Sequence, residues 1–380
     1  MQNLKTSLKN NPKFRFIADF LRPFTRRAYL VGGSVRDLLL GLELRDFDIE
    51  IYDLEPKRFE SIMQKLGAKG FGKSFWVYKF QNYDLALART ESKIAHGHRG
   101  FELRLCDDER LGARRRDFTC NALMINLFDL SFLDFYGGRE DLQNKILRHI
   151  DPQSFKEDSL RVLRALNFIA RFAFSIAPQT KQLMSCMDVS DLSAERINAE
   201  LYKFFSGENL ALAYKALQEL GLERRLFGVS FEDEGFFSLL EGARRFVKDE
   251  ALFLYLYLNY FGLDPSAFFQ KTRLKKSLLT KVNQPFFRED PSDLELLKIG
   301  LDMPIKSWLG CYSAARISQA KRLKIHTRKF QSKIKADALI RQGFAGKALG
   351  LKLKEARNLE FKKYLQEVGS VQSADKGAQI

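Results

Sequence analysis

The sequence predicts an α/β domain, with a small mixed sheet and helices, followed by an all-helical remainder. Up to about residue 140, short strand-like apolar runs alternate with segments of helical periodicity. Beyond about residue 175, strand-like segments become scarce and the apolar spacing is helical almost throughout. The 380 residues are 45% hydrophobic and 13% aromatic. That is sufficient for a large core divided among roughly two to four domains.

The individual elements follow from local patterns along the chain. Residues 14–22 have the spacing of a short amphipathic helix, and "AYLVGG" is a compact strand that ends in glycines. The next segment, "SVRDLLLG", is a helix closed by Gly41, and "PKRFESIMQKLG" is a second helix with a glycine stop. Further strands or strand–helix junctions are predicted for "DFDIEIYD", "SFWVYKF", "YDLALART" and "CNALMINLFD", and further helices for residues 154–174 and 193–207.

The composition argues against a membrane or secreted protein. No apolar run approaches the roughly 18 residues of a membrane span, and the most apolar stretch, "ALFLYLYL" at 251–258, predicts a buried helix. The first residues lack the apolar core of a signal peptide, so we expect a cytoplasmic location. The widely spaced cysteines form no C-x-x-C pair, which predicts neither a zinc site nor a disulfide framework.

The charge is strongly positive and unevenly distributed. A net charge of +16 favours a polyanionic partner, above all a nucleic acid. Residues 305–368 contain 16 Lys and Arg residues but only four acids. Any single basic cluster there is compatible with a solvated helical face, whereas the whole region predicts a surface that follows a polyanion. The polar residues 369–380 are predicted to be disordered.

A pair of glycines joins the first strand to the following helix. In "GGSVRD", Gly32 and Gly33 allow backbone N–H groups to approach a phosphate at the positive end of the helix dipole. Arg36, one turn into the helix, adds a cationic fork. Most glycine pairs are ordinary turns, and neither a G-x-G-x-x-G nor a G-x-x-x-x-G-K-[ST] pattern is present, which disfavours Rossmann and P-loop folds.

Acidic residues on the second strand predict a metal site. In "RDFDIEIYD", Asp46, Asp48 and Glu50 alternate with apolar residues, so on a strand the acids share one face. Carboxylates suit Mg²⁺, and two such ions activate an attacking hydroxyl and stabilise the leaving oxygen. A solvated strand is the alternative. Asp84, on another predicted strand, is a candidate third ligand, although an aspartate at a strand start is an equally good explanation.

Two arginine-rich segments predict contacts with a nucleotide. In "ARRRDFTCNAL", the arginines before Asp117 form either a charged loop or forked contacts with phosphate oxygens, and Asp117 can orient one of them. In "EDSLRVLRALNF", Asp158, Arg161 and Arg164 lie on roughly one helix face, as in an intrahelical salt bridge. Such an Asp/Arg pair could instead accept from the exocyclic amine and donate to the ring acceptor of cytosine or adenine, and so reject uracil and guanine.

The order of these motifs resembles that of one family, the class II tRNA nucleotidyltransferases (CCA-adding enzymes) and the related bacterial poly(A) polymerases. The resemblance covers about residues 29–207. It rests on "YLVGGSVRDLLLGLELRDFDIEI", "DLALARTE", "RRRDFTCNAL", "LDFYGGREDLQNKILRHI", "KEDSLRVLRALNFIARF" and "AERINAEL". Beyond residue 210 it is faint, although "IRQGFAGKALGLKLKEA" resembles a tail segment of these enzymes.

The resemblance implies four parts and one reaction. The parts are a catalytic nucleotidyltransferase head (1–140), a helical neck that recognises the base (141–210), a helical body (211–305) and a basic helical tail that binds tRNA (306–380). The reaction is the addition of CMP, CMP and AMP, from CTP and ATP, to the 3′ end of tRNA without a template, with Mg²⁺ and release of pyrophosphate. Alternatives are a poly(A) polymerase, an enzyme that adds only CC or only A, and a non-catalytic RNA-binding protein, against which the intact aspartate pair argues.

The resemblance also assigns site residues by position. Asp46, Asp48 and Asp84 would be catalytic and bind the metal ions. The nucleotide-binding set would be Gly32, Gly33, Arg36, Arg116, Asp117, Asn121, Asp158, Arg161 and Arg164, of which the last three would read the base. Glu50 matches no required acid of the family and lies roughly 6–7 Å further along the strand, so it is left out of the predicted site.

Two departures from the family pattern bear on these expectations. The family often has an acid five residues before Asp117, where this chain has Gly112. The role of that acid is therefore missing, or has passed to Asp107, Asp108 or Glu109. Some relatives also carry a His/Asp phosphohydrolase domain, which we expect to be absent here because the chain has four His residues and no His-Asp pair.

Overall fold

The structure, a computed structural model, describes residues 2–70, 76–93 and 101–377. The chain divides into two compact units, Met1–Glu200 and Leu201–Ile380. Of the helices described, none has both the length and the hydropathy that a membrane span requires. The predicted division into head, neck, body and tail is finer than these two units and stays a prediction.

The first unit contains the sheet. Its strands are β1 (Ala28–Val31), β2 (Phe47–Ile51), β3 (Lys69–Gly70), β4 (Val77–Phe80), β5 (Tyr83–Leu87), β6 (Arg89–Lys93), β7 (Phe101–Leu105), β8 (Met124–Asn126), β9 (Phe132–Leu133), β10 (Ile146–Leu147) and β11 (Ser175–Ile176). Its helices are α1 (Gln2–Asn10), α2 (Pro12–Leu21), α3 (Gly32–Leu39), α4 (Pro56–Leu66), α5 (Glu109–Arg114), α6 (Gly138–Gln143), α7 (Pro152–Lys156), α8 (Leu160–Phe172) and α9 (Pro178–Ser185). Helix α10 (Ala194–Phe205) contains the boundary between the units.

Seven strands form one mixed sheet in the order β3-β4-β5-β2-β1-β8-β9, which confirms the predicted fold class. Strand β1 is antiparallel to β2 and β8, whereas β2 and β5 are parallel. The β2–β5 register places Asp48 opposite Asp84. On the other face of β2, Phe47, Ile49 and Ile51 are at most 1% exposed, and burial of each stabilises the fold by about 1.5–3 kcal/mol.

The glycine pair does not precede helix α3, as the sequence predicts, but forms its first two residues. The end of the helix is as predicted: Gly41 has a left-handed backbone (φ +74°), and Gly41 N–H and Leu42 N–H donate to the carbonyls of Leu38 and Asp37. This Schellman arrangement satisfies the last carbonyls of the helix. The first-turn N–H groups of α3 therefore come from the glycines themselves.

The predicted helix over 154–174 is interrupted. Helices α7 and α8 are separated by residues 157–159, and Asp158 accepts a hydrogen bond from the N–H of Leu160 (3.3 Å). Asp and Ser side chains compete for backbone N–H groups in this way and disfavour a continuous helix. Asp158 therefore lies before α8, not on one helix face with Arg161 and Arg164, and the intrahelical salt bridge is not formed.

The second unit is helical. Its helices are α11 (Leu210–Glu219), α12 (Leu222–Phe227), α13 (Glu234–Arg244), α14 (Leu252–Tyr260), α15 (Pro265–Thr272), α16 (Lys276–Val282), α17 (Asp293–Asp302), α18 (Ala314–Arg322), α19 (Ala336–Arg341) and α20 (Gly346–Gly377). Every residue of Leu252–Leu258 is fully buried, which confirms the predicted buried helix.

The end of the chain differs from its predicted disorder. Helix α20 continues to Gly377, so residues 369–377 are helical, and residues 378–380 lie outside the described part. Once a helix is nucleated, each further residue adds one hydrogen bond at a small cost, so a polar composition alone does not end it.

Glu223 holds together the aromatic core of the second unit. It is fully buried and accepts hydrogen bonds from the hydroxyls of Tyr214 (2.8 Å) and Tyr257 (2.7 Å) and from the N–H of Phe231 (3.2 Å). Replacing Glu223 by alanine should lower the free energy of unfolding by about 2–4 kcal/mol, because these donors would stay buried without an acceptor. Urea unfolding measures the loss. Glu241→Ala, which removes an exposed acid, is the control, and equal midpoints for the two variants would contradict the expectation.

Candidate active site

The glycine pair lies where strand β1 passes into helix α3. Gly32 has a left-handed backbone (φ +63°), and a Cβ atom there would lie 2.8 Å from Nη1 of Arg116. Glycine satisfies both conditions without strain, because other residues rarely adopt positive φ. A Cβ atom on Gly33 would lie 3.7 Å from Oδ2 of Asp48. The turn is therefore close to both the first of the two arginine-rich segments, residues 113–123, called the arginine-rich segment from here on, and the acidic strand β2.

The three acids predicted to bind metal line one cavity of about 580 Å³. Asp46 is exposed just before β2, Asp48 is half-buried on that strand, and Asp84 lies opposite Asp48 on β5. Nζ of Lys79 lies 3.2 Å from Oδ1 of Asp84. Within the described ranges, no group of three or more His, Cys, Asp or Glu side chains is arranged to hold a metal ion, so a three-acid site stays a prediction.

Asp46 and Asp48 nevertheless have the chemistry that Mg²⁺ requires. This ion is usually bound by one or two carboxylates together with waters and substrate phosphates, so a pair of acids beside the glycine turn fits it. Burial raises the pKa of the Asp48 carboxyl; the charge of Arg116 opposes this rise and that of Asp84 adds to it. Because a carboxylate must be deprotonated to bind a metal, Arg116 favours the binding form of Asp48.

Ser34 is a site residue that sequence reasoning missed. Its buried hydroxyl donates to the carbonyl of Asp46 (3.0 Å) and accepts from the N–H of Asp48 (2.8 Å). It therefore fixes the backbone between the two aspartates. The serine after the glycines was the available signal, but a serine at a helix start usually caps that helix, which hides its tertiary role.

Replacing Ser34 by alanine should slow nucleotide incorporation about 10- to 100-fold, because displaced reacting groups lose much of their orientation. The fold should lose about 1–3 kcal/mol, since the Asp48 N–H would have no acceptor. Incorporation kinetics and thermal unfolding measure the two effects. Ser185→Ala removes an exposed hydroxyl that donates to the carbonyl of Gln182 and serves as the control. Wild-type kinetics in Ser34→Ala would contradict this role.

A second cavity, of about 300 Å³, brings together most of the predicted nucleotide-binding set. It is lined by Gly32, Gly33, Asp48, Arg116, Asp117, Asn121, Asp158, Leu160, Arg161 and Arg164. Gly33 and Asp48 also line the first cavity. The two cavities therefore meet at the glycine turn and the second aspartate of the acidic strand.

Arg36 is not among the residues that line this second cavity, so its predicted contact with the nucleotide stays a prediction. It is buried and pairs with Asp37 (2.6 Å), and its Nη1 donates to Oδ1 of Asn121 (2.8 Å). Its guanidinium also lies 5.0 Å from the ring centroids of Phe168 and Phe172. Arg36 therefore supports Asn121, which does line the cavity.

Glu50, which the sequence reasoning left out of the site, is the buried partner of the arginine-rich segment. Its side chain is 2% exposed and pairs with Arg115 (2.7 Å) and Arg116 (2.9 Å). Burial alone would raise the pKa of Glu50, but the two arginines hold this pKa at about 2. The acidic face of β2 is thus not solvated: beyond Asp48 it is covered by arginine.

Asp117 and Arg164 form an ion pair in the wall of the second cavity. Nε and Nη2 of Arg164 lie 2.7 and 2.6 Å from Oδ2 of Asp117, while Oδ1 accepts from Asn121 (2.8 Å) and from the N–H of Phe118 (2.8 Å). Burial alone would raise the pKa of Asp117, but Arg164 and these hydrogen bonds outweigh burial and lower it. Asp117 therefore orients Arg164, whereas the sequence predicted one of the arginines that precede it. Those arginines pair with Asp151 and Glu50.

Asp158 and Arg161 also have partners that the sequence did not reveal. Arg196, within the quoted "AERINAEL" segment, lies 3.1 Å from Oδ1 of Asp158. Arg161 donates to the carbonyls of Ser154, Arg115 and Arg116, and so ties α8 to the arginine-rich segment. Since no role was predicted for Arg196, it is the second residue of this region that sequence reasoning missed.

Comparisons with known families agree with this geometry. Residues 28–148 match the family described as the poly(A) polymerase head domain, and residues 173–228 match the one described as a probable RNA- and SrmB-binding site of polymerase A. The matched head contains the glycine turn, the acidic strand and the arginine-rich segment. The two matched segments together cover less than half of the chain, and the first of them shows a head domain of the poly(A) polymerase type.

Curated relatives of known name match about half of the chain. A multifunctional CCA protein from Xylella fastidiosa (strain 9a5c) is 44% identical over 186 residues, which are 46% of this chain and 44% of the relative. A multifunctional CCA protein from Nitrosospira multiformis is 38% identical over 208 residues, 53% of this chain and 49% of the relative. The chain thus spans about half the length of the curated relatives that it matches.

Solved structures extend the likeness in fold to nearly the whole chain. The Thermotoga maritima CCA-adding enzyme complexed with tRNA has a TM-score of 0.67 and 23% identity, and the match covers 97% of this chain and 98% of that one. The Bacillus stearothermophilus CCA-adding enzyme in complex with CTP has a TM-score of 0.68 and 22% identity, with coverage of 96% and 100%. The chain therefore has the fold of CCA-adding enzymes.

Proposed function

We propose that this protein is a template-independent RNA nucleotidyltransferase that adds CCA to the 3′ end of tRNA, using CTP and ATP and releasing pyrophosphate. The observation that carries the proposal is that Asp48 and Gly33 line both cavities. A triphosphate in the second cavity and an RNA 3′ end in the first would then meet at the acidic strand. The names of the relatives and of the matched structures support the same reaction.

The residues of the second cavity have the donors and acceptors that a nucleotide needs. The first-turn amides of α3 and the guanidinium of Arg116 would bind phosphate oxygens. Asp46 and Asp48 would hold Mg²⁺, which supplies activation of the attacking 3′-hydroxyl and charge neutralisation on the leaving pyrophosphate. Asp158 would accept a hydrogen bond from the exocyclic amine that cytosine and adenine share. Protein groups, rather than a template strand, would thus select the base.

The assay that tests this function uses the purified protein and tRNAs ending before the first C, before the second C and before the A, with each nucleoside triphosphate offered separately. We expect CMP on the first two ends and AMP on the third, and no further growth. A chelator should stop incorporation and added Mg²⁺ should restore it. Failure to extend any of the three ends with any triphosphate would refute the proposal.

A second candidate, poly(A) addition, is favoured by one observation, the match of residues 28–148 to a poly(A) polymerase head. The same assay separates the two, because a poly(A) polymerase would extend an RNA with ATP alone into a long tail. An enzyme limited to CC or to A would extend only some of the three ends.

A cytoplasmic location belongs to the proposal and is supported by the free cysteines at 106, 120, 186 and 311, which suit a reducing compartment.

A further inference from the structure

Glu50 connects strand β2 to the arginine-rich segment through a closed set of contacts. Oε2 lies 2.7 Å from Nη2 of Arg115 and 2.9 Å from Nη2 of Arg116, and Oε1 accepts from the hydroxyl of Tyr52 (2.6 Å). Glu50 and Tyr52 are both almost fully buried. Glu50 is the next residue after Asp48 on the same face of the strand. Its carboxylate, with all of these partners in place, fixes where the two guanidinium groups lie.

Gly112 is a glycine because of this cluster. It lies within helix α5, where glycine is a poor helix former, and it is buried. A Cβ atom on it would overlap the hydroxyl of Tyr52 and would lie 2.9 Å from Oε1 of Glu50. A side chain at position 112 and the present Glu50–Tyr52 arrangement therefore exclude each other.

The acids near Gly112 in sequence have other partners. Asp107 and Glu109 both pair with Arg27, at 2.5 and 2.8 Å. Asp108 caps helix α5 by accepting from the N–H groups of Arg110 and Leu111. Each of these three acids is therefore engaged elsewhere, which favours the other expectation, that none of them takes over the role of an acid at 112. In space, the carboxylate next to Gly112 is that of Glu50.

We infer that Glu50 supplies, from strand β2, the carboxylate that position 112 lacks, and that it is a positioning residue for Arg116. Arg116 lies between Glu50 and the glycine turn, with Nη2 on the carboxylate and Nη1 2.8 Å from where a Cβ atom on Gly32 would be. It also lines the second cavity. The inference rests on the proposed function in one respect: the group that Arg116 binds is taken to be the triphosphate.

The test compares Glu50→Ala with two variants that add a side chain at position 112, all in a Tyr52→Phe background that removes the hydroxyl overlapping that position. Glu50→Ala should weaken CTP binding about 10- to 100-fold, with a much smaller effect on CMP, because a displaced Arg116 loses phosphate contacts. Adding Gly112→Asp should restore at least about tenfold of that loss, since the space vacated by Glu50 and the hydroxyl admits a carboxylate that reaches the same arginines. Adding Gly112→Ala instead fills the space without a charge and should restore nothing. Calorimetric titration of CTP and CMP into each protein measures these ratios without RNA.

A control separates positioning from stability. Asp141→Asn removes another buried acid–arginine pair of the first unit, with Arg148 at 3.0 Å, outside both cavities. It should lower the thermal midpoint while leaving the CTP-to-CMP affinity ratio at the wild-type value. A wild-type ratio in Glu50→Ala, or equal rescue by Gly112→Ala and Gly112→Asp, would overturn the inference. If wild type binds CTP in a Glu50-dependent manner but extends none of the three tRNA ends, the proposed function fails and the inference stands.

Discussion

Asp48→Asn should reduce nucleotide incorporation at least about a thousandfold, because a neutral amide binds the metal ions of the proposed reaction much more weakly than a carboxylate does. Asp48 lines both cavities and lies opposite Asp84 on the parallel strand β5. The amide has nearly the same volume as the carboxylate and retains the backbone hydrogen bond from Asp48 N–H to Ser34. The fold and the glycine turn should therefore be preserved, and the loss should fall on catalysis.

Binding measurements distinguish this loss from a general defect. Affinity for tRNA should stay within about twofold of wild type, because phosphate contacts by basic residues dominate such binding. Asp19→Asn, which changes an exposed acid of helix α2, is the matched control and should retain full activity. Single-turnover incorporation measures the catalytic loss, and equilibrium tRNA binding on the same preparations measures the affinity. Undiminished turnover in Asp48→Asn would remove Asp48 from the catalytic set, and with it the reason for a metal at this strand.

Local patterns predicted the acidic strand well but not what covers it. Alternation of apolar and acidic residues over 45–53 gave the strand and its buried face, because side chains alternate with a period of two. The arginine partners of Glu50 lie 65 and 66 positions away along the chain, so no local pattern contains them. Excluding Glu50 from the metal site left its second possibility, an ion pair within the fold, unconsidered.

The pairing of Asp48 with Asp84 illustrates the same limit. The sequence predicts that each residue lies on a strand, since the first run alternates apolar and acidic residues and the second places Leu85 and Leu87 on one face and Asp84 with small residues on the other. Which strands become neighbours depends on how the connections cross the sheet, and the order β5-β2-β1 follows from packing of the whole unit. The fold class could therefore be predicted, whereas the register at the candidate site could not.

The interrupted helix at 157–159 is a case in which periodicity misled. Apolar spacing runs through 154–174 without a break, but periodicity does not reveal whether side chains take over backbone hydrogen bonds. In the structure, the side chain of Asp158 accepts a hydrogen bond from the N–H of Leu160 and pairs with Arg196. Arg196 lies in the segment "AERINAEL", for which the sequence predicted no role at this position. The base-reading role that the resemblance assigns to Asp158 stays a prediction, whereas the helix face shared with Arg161 and Arg164 was wrong.

Base selection should depend on Asp158. Both of its hydrogen bonds, from Arg196 (3.1 Å) and from the N–H of Leu160 (3.3 Å), engage Oδ1. Within the part of the chain that the structure describes, no hydrogen bond engages Oδ2. A fixed carboxylate with a spare acceptor atom on the wall of the second cavity suits the exocyclic amine of cytosine or adenine. Uracil and guanine present a carbonyl oxygen there, and two acceptors facing each other repel.

Asp158→Asn should therefore lower discrimination between CTP and UTP, and between ATP and GTP, by about 10- to 100-fold, since the amide can donate where the carboxylate could only accept. The ratios of kcat/KM for the paired nucleotides measure the change. Arg196→Ala should shift them in the same direction, because it removes the ion pair that fixes the carboxylate. Glu195→Gln, which changes an exposed residue next to Arg196 on helix α10, should leave these kcat/KM ratios at the wild-type values. If Asp158→Asn lowers the rate with all four nucleotides equally, Asp158 positions the cavity wall and does not read the base.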